Sequence, residues 1–242
     1  MKKLLSLAAC ALFALLSVSC IEDIFDPSDP YGDNDNTFGI LDGNTLNYGD
    51  HTYILEEKGS TGTITFTHFP KNVREFKILQ NQLLGYSKAG VLALDLMAME
   101  MYRRNRTAGS AALSECNVSS KLKSIMNQLN LKFPEDREAG ETDTSYQPYL
   151  IASFLQGATF ENGYQPDYPY VLKFYENPSP FVKQGESSYL GKLYHWCIMR
   201  YGEKEVDATI AFLDDDEPYL VTECSDFTAG VPAVKFWEDT LQ

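Results

Sequence analysis

The spacing of polar and apolar positions changes twice along the chain. From Phe38 to Pro70 it is that of strands. His51 to Glu56 is rich in β-branched and aromatic residues. Thr63 to Phe69 alternates strictly, with Ile64, Phe66 and His68 on one face and Thr63, Thr65, Thr67 and Phe69 on the other. Asp42-Gly43-Asn44 and Tyr48-Gly49-Asp50 are turn clusters, and Glu57 to Gly62 reads as a loose hairpin connection. From Asn72 the period becomes helical. Asn72 and Glu75 have capping-box spacing, Val73, Phe76, Leu79 and Leu83 share one face, and Gly85 predicts the stop. Lys88 to Arg104 is apolar on nearly every side, which predicts a buried helix, with Asp95 at the rim of the apolar face and paired to a basic residue. Leu122, Ile125, Met126 and Leu129 predict a further helix, capped by Ser119 or Ser120 and followed by a charged connection from Pro134 to Ser145.

The second change falls between Tyr146 and Tyr170. Pro148 to Gln156 predicts a short helix stopped by Gly157, and Asn162-Gly163 a turn. Pro166 and Pro169 hold Tyr164, Tyr168 and Tyr170 in an extended segment, because proline fixes φ and removes a donor. The pattern Pro148-Tyr-Leu-x-Ala-x-x-Leu-x-Gly-Ala-x-x-x-Asn-Gly-Tyr-x-Pro-x-x-Pro-Tyr170 resembles the signature of an uncharacterised bacterial family of domains of unknown function, which occurs in exported and lipid-anchored proteins. The resemblance extends from Asn72 through the final strands. It implies membership and assigns no catalytic residue.

Beyond Tyr170 the strand period returns, over Val171 to Tyr175, Gly191 to Tyr201, Asp207 to Leu213 and Tyr219 to Cys224. In the longest run, Leu193, His195, Cys197 and Met199 share one face and Tyr194, Trp196, Ile198 and Arg200 the other. Phe227 to Gln242 is expected to cover the sheet edge. The fold class is therefore α+β. An N-terminal β-hairpin region precedes central helices within residues 72–133 and a C-terminal antiparallel sheet within 170–226. They are expected to form one domain over residues 38–242, since helices and sheet each carry an apolar face that the other must bury.

The first residues have a different pattern. Lys2-Lys3, the apolar run Leu4 to Val18 and Ser19-Cys20 form a basic segment, an apolar core and a small-residue cleavage site. Ser17-Val18-Ser19-Cys20 resembles the bacterial lipoprotein lipobox, with Ser17 where leucine is usual. Residues 1–19 then form a signal peptide, and Cys20 becomes the lipidated first residue, holding the chain stably through two or more acyl chains. Residues 20–37 are acidic and interrupted by Pro and Gly, so they read as a tether. An acidic patch directly after the lipid-bearing cysteine resembles the surface-export signal of Bacteroidetes lipoproteins. These features predict an exported protein anchored to the outer membrane and exposed at the cell surface.

Charge and cysteines narrow the chemistry. The chain carries 20 basic and 34 acidic residues, a net −14 that deepens to −16 when Lys2 and Lys3 leave with the leader. A field of that sign repels phosphate backbones, so no nucleic-acid partner is expected. Besides Cys10 and Cys20 there are Cys116, Cys197 and Cys224. Cys197 and Cys224 read as lying on neighbouring strands, where a bridge between them competes with three buried thiols. No Cys/His spacing marks a zinc site. The aspartates at 29, 33 and 35 lack the EF-hand glycine and terminal glutamate, and Asp214 to Glu217 reads as a solvated loop tip. No metal or cofactor is expected. Ser120-x-x-Lys123 lacks the partner motifs of serine–lysine acylases.

Function is thereby restricted to a few classes. A lipid-anchored binding or accessory module would present Tyr164, Tyr168, Tyr194 and Trp196 to a glycan or protein ligand. An envelope hydrolase acting on glycan or peptide is the alternative, with only Asp95, His195 and Asp207 as scattered candidates. A structural component of an envelope assembly is a third reading.

Overall fold

In a computed structural model of the chain, the residues described are 37–118, 149–201, 205–213, 218–224, 229–232, 234 and 241–242. Their strands are β1 (Gly39–Asp42), β2 (Thr45–Tyr48), β3 (His51–Lys58), β4 (Thr61–Phe66), β5 (Tyr170–Glu176), β6 (Glu186–Ser188), β7 (Gly191–Ile198), β8 (Val206–Phe212) and β9 (Leu220–Glu223). All belong to one antiparallel sheet in the order β1-β2-β3-β4-β5-β7-β8-β9, with β6 paired to β7. The fold is mixed α+β, as the spacing predicts. One correction concerns the sheet. The N-terminal hairpins and the C-terminal strands are not separate, because β4 pairs with β5 from Thr61↔Tyr175 to Phe66↔Tyr170. Alternation reports which face a residue takes, and is silent on which distant strand lies beside it.

A second correction lies at the β3–β4 turn. Pairing runs as far as Lys58↔Thr61, so Gly59 and Ser60 alone make the turn, with Gly59 at φ +58°. A two-residue hairpin turn requires that left-handed conformation, which glycine adopts without a Cβ clash. The predicted loose connection is therefore paired strand, and the hairpin register is rigidly set.

Four α-helices are described: α1 (Val73–Leu79), α2 (Lys88–Arg104), α3 (Arg106–Glu115) and the short α4 (Tyr149–Ala152). Asn72 caps α1 by accepting from the Glu75 N–H at 2.9 Å, while the Glu75 side chain reaches back to Lys71 N–H rather than to Asn72. The chain does not stop cleanly at Gly85. A π turn over Gln80–Leu84 follows α1, and Gly85 has an ordinary right-handed φ of −63°. α2 lies across β4, β5 and β9. It meets the sheet so closely at Gly62 that a Cβ there would sit 2.3 Å from Ala89 Cβ. Leu46, Tyr53, Ile64, Phe66, Leu172, Phe174, Trp196, Ile198, Ile210 and Val221 of the sheet are buried in the core shared with α2. Asp95 is buried at 2% exposure, inside that core and not at its rim.

The residue spacing gives no sign of α3, because its inner face is Ala108, Gly109, Ala112 and Leu113, too small to register as an apolar stripe. Asn105 makes the corner between α2 and α3, its side chain accepting from Thr107 and Ala108 N–H. The expected helix over 119–133, the connection after it and the acidic tip at 214–217 lie outside the described residues. α4 ends at Ala152, before the predicted Gly157 stop, and the chain turns there so that Ser153 Oγ accepts from Arg200 Nε at 3.1 Å. Asn162 then organises the Asn-Gly turn, accepting from Thr159 and Gln165 N–H and donating to the carbonyls of Gly157 and Gln165. Cys197 and Cys224 are not on neighbouring strands, since β8 lies between, and Cys116, Cys197 and Cys224 are buried thiols with no bridge among them. Of the final segment, Gln242 is described at the ends of β4 and β5, accepting from Phe69 N–H and donating to Tyr170 OH. No described helix is long and apolar enough to cross a membrane.

Candidate functional site

The aromatics nominated from the sequence divide by burial. Tyr164 is 2% exposed and stacks on Tyr149 at 5.3 Å, and Trp196 is fully buried, so neither offers a ring face to a ligand. Tyr168 is exposed. Tyr194, Trp196 and Tyr219 surround the Lys88 ammonium at 5.0–5.6 Å from their ring centroids, and Glu57 closes the group at 3.3 Å. Burial pulls the Lys88 pKa down, but Glu57 and the tyrosines outweigh it and the net shift is upward. This aromatic box is filled by the chain's own cation, which pins the start of α2 to β7. Cys20 lies outside the described residues.

The scattered hydrolase candidates are not brought together. Asp95 is in the helix-side core, whereas His195 and Asp207 occupy the opposite face of the sheet. His195 Nδ1 lies 3.3 Å from Thr209 Oγ1. Asp207 accepts from Asn177 Nδ2 at 3.0 Å and from the Cys197 thiol at 3.1 Å. Burial, reinforced by Asp207, pushes that thiol up to about 12, so it is inert as a nucleophile near neutral pH.

A different group of side chains does converge, where β3 begins, β4 ends and α1 begins. The β3–β4 register, continued one pair beyond Thr52 and Thr67, sets His51 opposite His68, and the two rings stack with centroids 4.4 Å apart and planes inclined by 13°. Beneath them is Glu75, 1% exposed. Its Oε1 lies 2.5 Å from His51 Nδ1 and accepts from Tyr53 OH at 2.7 Å, and its Oε2 accepts from Lys71 N–H at 2.9 Å. A buried carboxylate is tolerable because its lone pairs are met by donors. Burial first, and Glu75 second, raise the Tyr53 phenol well above its ordinary value, keeping it a donor. Burial and the neighbouring His51 lower the His68 imidazole. Asp50, in the β2–β3 turn, places Oδ1 3.7 Å from His51 Nε2.

These histidines form one wall of a half-open cleft of about 270 Å³. Phe69, Pro70, Lys71, Met101, Arg104, Asn105, Ala108 and Gln242 line the rest. Arg104 lies over the Phe69 ring and is held by Glu100, which also takes two bonds from Arg103. The cleft therefore combines an apolar floor with cationic and imidazole groups. The cleft leaves no mark in the spacing of apolar residues, because its signal is a strand register. Had Gly59-Ser60 been read as the turn, His51 and His68 would have fallen opposite one another.

No curated protein and no solved structure matches the chain. A family model does. The matched stretch opens at His68, leaving β1 to β4 before it, and takes in the described helices and all the later strands, including the Pro148 to Tyr170 pattern. By that match, over residues 68–235, the chain belongs to the family described as a domain of unknown function, DUF6935.

Proposed function

We propose that the protein is a lipid-anchored, surface-exposed protein of the cell envelope, held to the outer membrane through Cys20, and that its folded part is a binding module. The ligand site in this reading is the cleft between the His51–His68 stack and Arg104. One observation carries it. In a chain of net charge −14, the cleft lining gathers Lys71, Arg104 and two imidazoles, with the carboxylates that pair with them, Glu100 on Arg104 and Glu75 and Asp50 on His51, set outside the lining, which itself has no carboxylate side chain, hydroxyl or thiol. That composition suits a ligand bearing an acidic group, such as an acidic glycan or the carboxylates of a protein, and supplies no nucleophile. Of the nominated aromatics Tyr168 is exposed, but it is not among the residues that line the cleft.

The hydrolase reading keeps one observation in its favour, the His51–Glu75 pair, in which a buried carboxylate orients an imidazole. Two measurements test the proposal. Cys20→Ala is expected to move the protein out of the membrane fraction. If the variant still sediments with membranes at the wild-type size and lipidation, the anchor is wrong. The full chain in detergent is expected to bind uronic-acid oligosaccharides or acidic peptides, with Arg104→Ala weakening the interaction. Turnover of either probe would instead favour the hydrolase.

A further inference from the structure

We propose that Asp50, His51 and His68 form a binding site for a divalent transition-metal ion of the zinc class. One ligand atom of each lies within 4.8 Å of those of the other two. Two imidazoles and a carboxylate are the donors that zinc, cobalt, nickel and copper prefer, whereas calcium and magnesium take all-oxygen sets.

What distinguishes this group from a chance cluster is the support beneath it. His51 Nδ1 is engaged by Glu75 at 2.5 Å, so its proton belongs on that nitrogen and the Nε2 lone pair faces Asp50, 3.7 Å away. Metal-bound histidines are held this way, with a carboxylate on the far nitrogen fixing tautomer and ring orientation. Glu75 is itself fixed by Tyr53 OH and Lys71 N–H, so the supporting shell is complete and buried. His68 Nδ1 lies 3.1 Å from Thr67 Oγ1, and a proton donated there leaves its Nε2 as the ligand.

The geometry needs a modest closure. Bonds of about 2.0–2.2 Å place tetrahedral ligand atoms roughly 3.3–3.5 Å apart. His51 is held rigidly, so the closure falls to the Asp50 side chain, which is 87% exposed, and to the His68 ring, which must tilt out of its near-parallel stack for its Nε2 lone pair to converge with that of His51. Three protein ligands leave a fourth position open, and His51 and His68 both line the cleft. The inference stands on these residues alone, and depends on neither the lipid anchor nor the acidic ligand.

The test uses the full-length chain, untagged, in detergent and stripped with a chelator. Zn²⁺ is titrated by calorimetry and Co²⁺ by visible absorption. The expected result is a one-equivalent Zn²⁺ step that excess Ca²⁺ and Mg²⁺ do not displace, with Co²⁺ bands of a low-coordinate imidazole site. His68→Ala and Asp50→Ala, both at the surface end of the group, are expected to abolish the step. Glu75→Gln keeps the side-chain volume and is expected to weaken it about 10–100-fold, as loss of an outer-shell partner does. His195→Ala should leave it unchanged. Circular dichroism checks folding, and if His68→Ala is misfolded Asp50→Ala decides. No Zn²⁺ step in the wild type, or the same isotherm in Asp50→Ala as in the wild type, overturns the proposal. Neither readout involves membranes or the cleft's ligand, so a failed anchor or ligand assay leaves this result standing, and the reverse.

Discussion

Tyr53→Phe removes one oxygen and asks whether Glu75 is held as tightly as its surroundings require. The Tyr53 side chain is fully buried and its hydroxyl is 2.7 Å from a carboxylate that is itself 1% exposed. A hydrogen bond to a charged group contributes about 1.5–3 kcal/mol. The substitution is expected to cost that much, against a total stability of about 5–15 kcal/mol for a domain. Glu75→Ala goes further, orphaning the His51, Tyr53 and Lys71 donors together, and should cost about 3–5 kcal/mol. The double variant is the sharper measurement. Once Glu75 is gone the Tyr53 hydroxyl has lost its acceptor, so removing it should cost almost nothing, leaving a coupling of about 1.5–3 kcal/mol. Urea denaturation followed by circular dichroism provides each value from the midpoint shift at constant slope. Additive costs, or a Tyr53→Phe shift under about 0.5 kcal/mol, would refute the view that these groups form one network.

Two other outcomes follow from the packing and the titrating groups. A Cβ on Gly109 would lie 1.9 Å from Tyr102 Cα, so Gly109→Ala is expected to cost about 1–3 kcal/mol by urea denaturation, although the same change in an exposed helix gains about 1 kcal/mol. Stability should also fall at alkaline pH. Burial raises the phenols of Tyr53, Tyr170, Tyr175, Tyr201 and Tyr219, and lifts the Cys197 thiol to about 12. The unfolded chain loses those protons from about pH 8.5 for the thiol and about 10 for the phenols. Above those values the native state holds more protons than the unfolded one, so the urea midpoint should drop as pH rises from 8 to 10.5; an unchanged midpoint would contradict it.

Much of the framework was legible in the residues alone because it is local. Alternation over Thr63 to Phe66 and helical spacing from Asn72 to Arg104 report burial of a face, and the Asn72 cap is a property of four residues. The mixed α+β class follows from such signals in chain order. So does the family pattern from Pro148 to Tyr170, where Asn162 ties the turn by bonds to its immediate neighbours. α3 escaped because small residues bury a helix without leaving an apolar stripe.

What only the tertiary structure decided are the pairings between segments remote in the chain. β4 joins β5 across the whole helical region, which merges two expected sheets into one. Lys88 reaches into the rings of Tyr194, Trp196 and Tyr219, turning residues that look like a glycan platform into an internal cation box. His51, His68 and Glu75 meet because a two-residue turn sets a register and a helix cap places a carboxylate under it. Composition and periodicity mark most of the buried faces, though not the burial of Asp95 or the small-residue face of α3. Which side chains meet is set by loop closure and strand register, and here those brought Asp50, His51 and His68 within reach of one another.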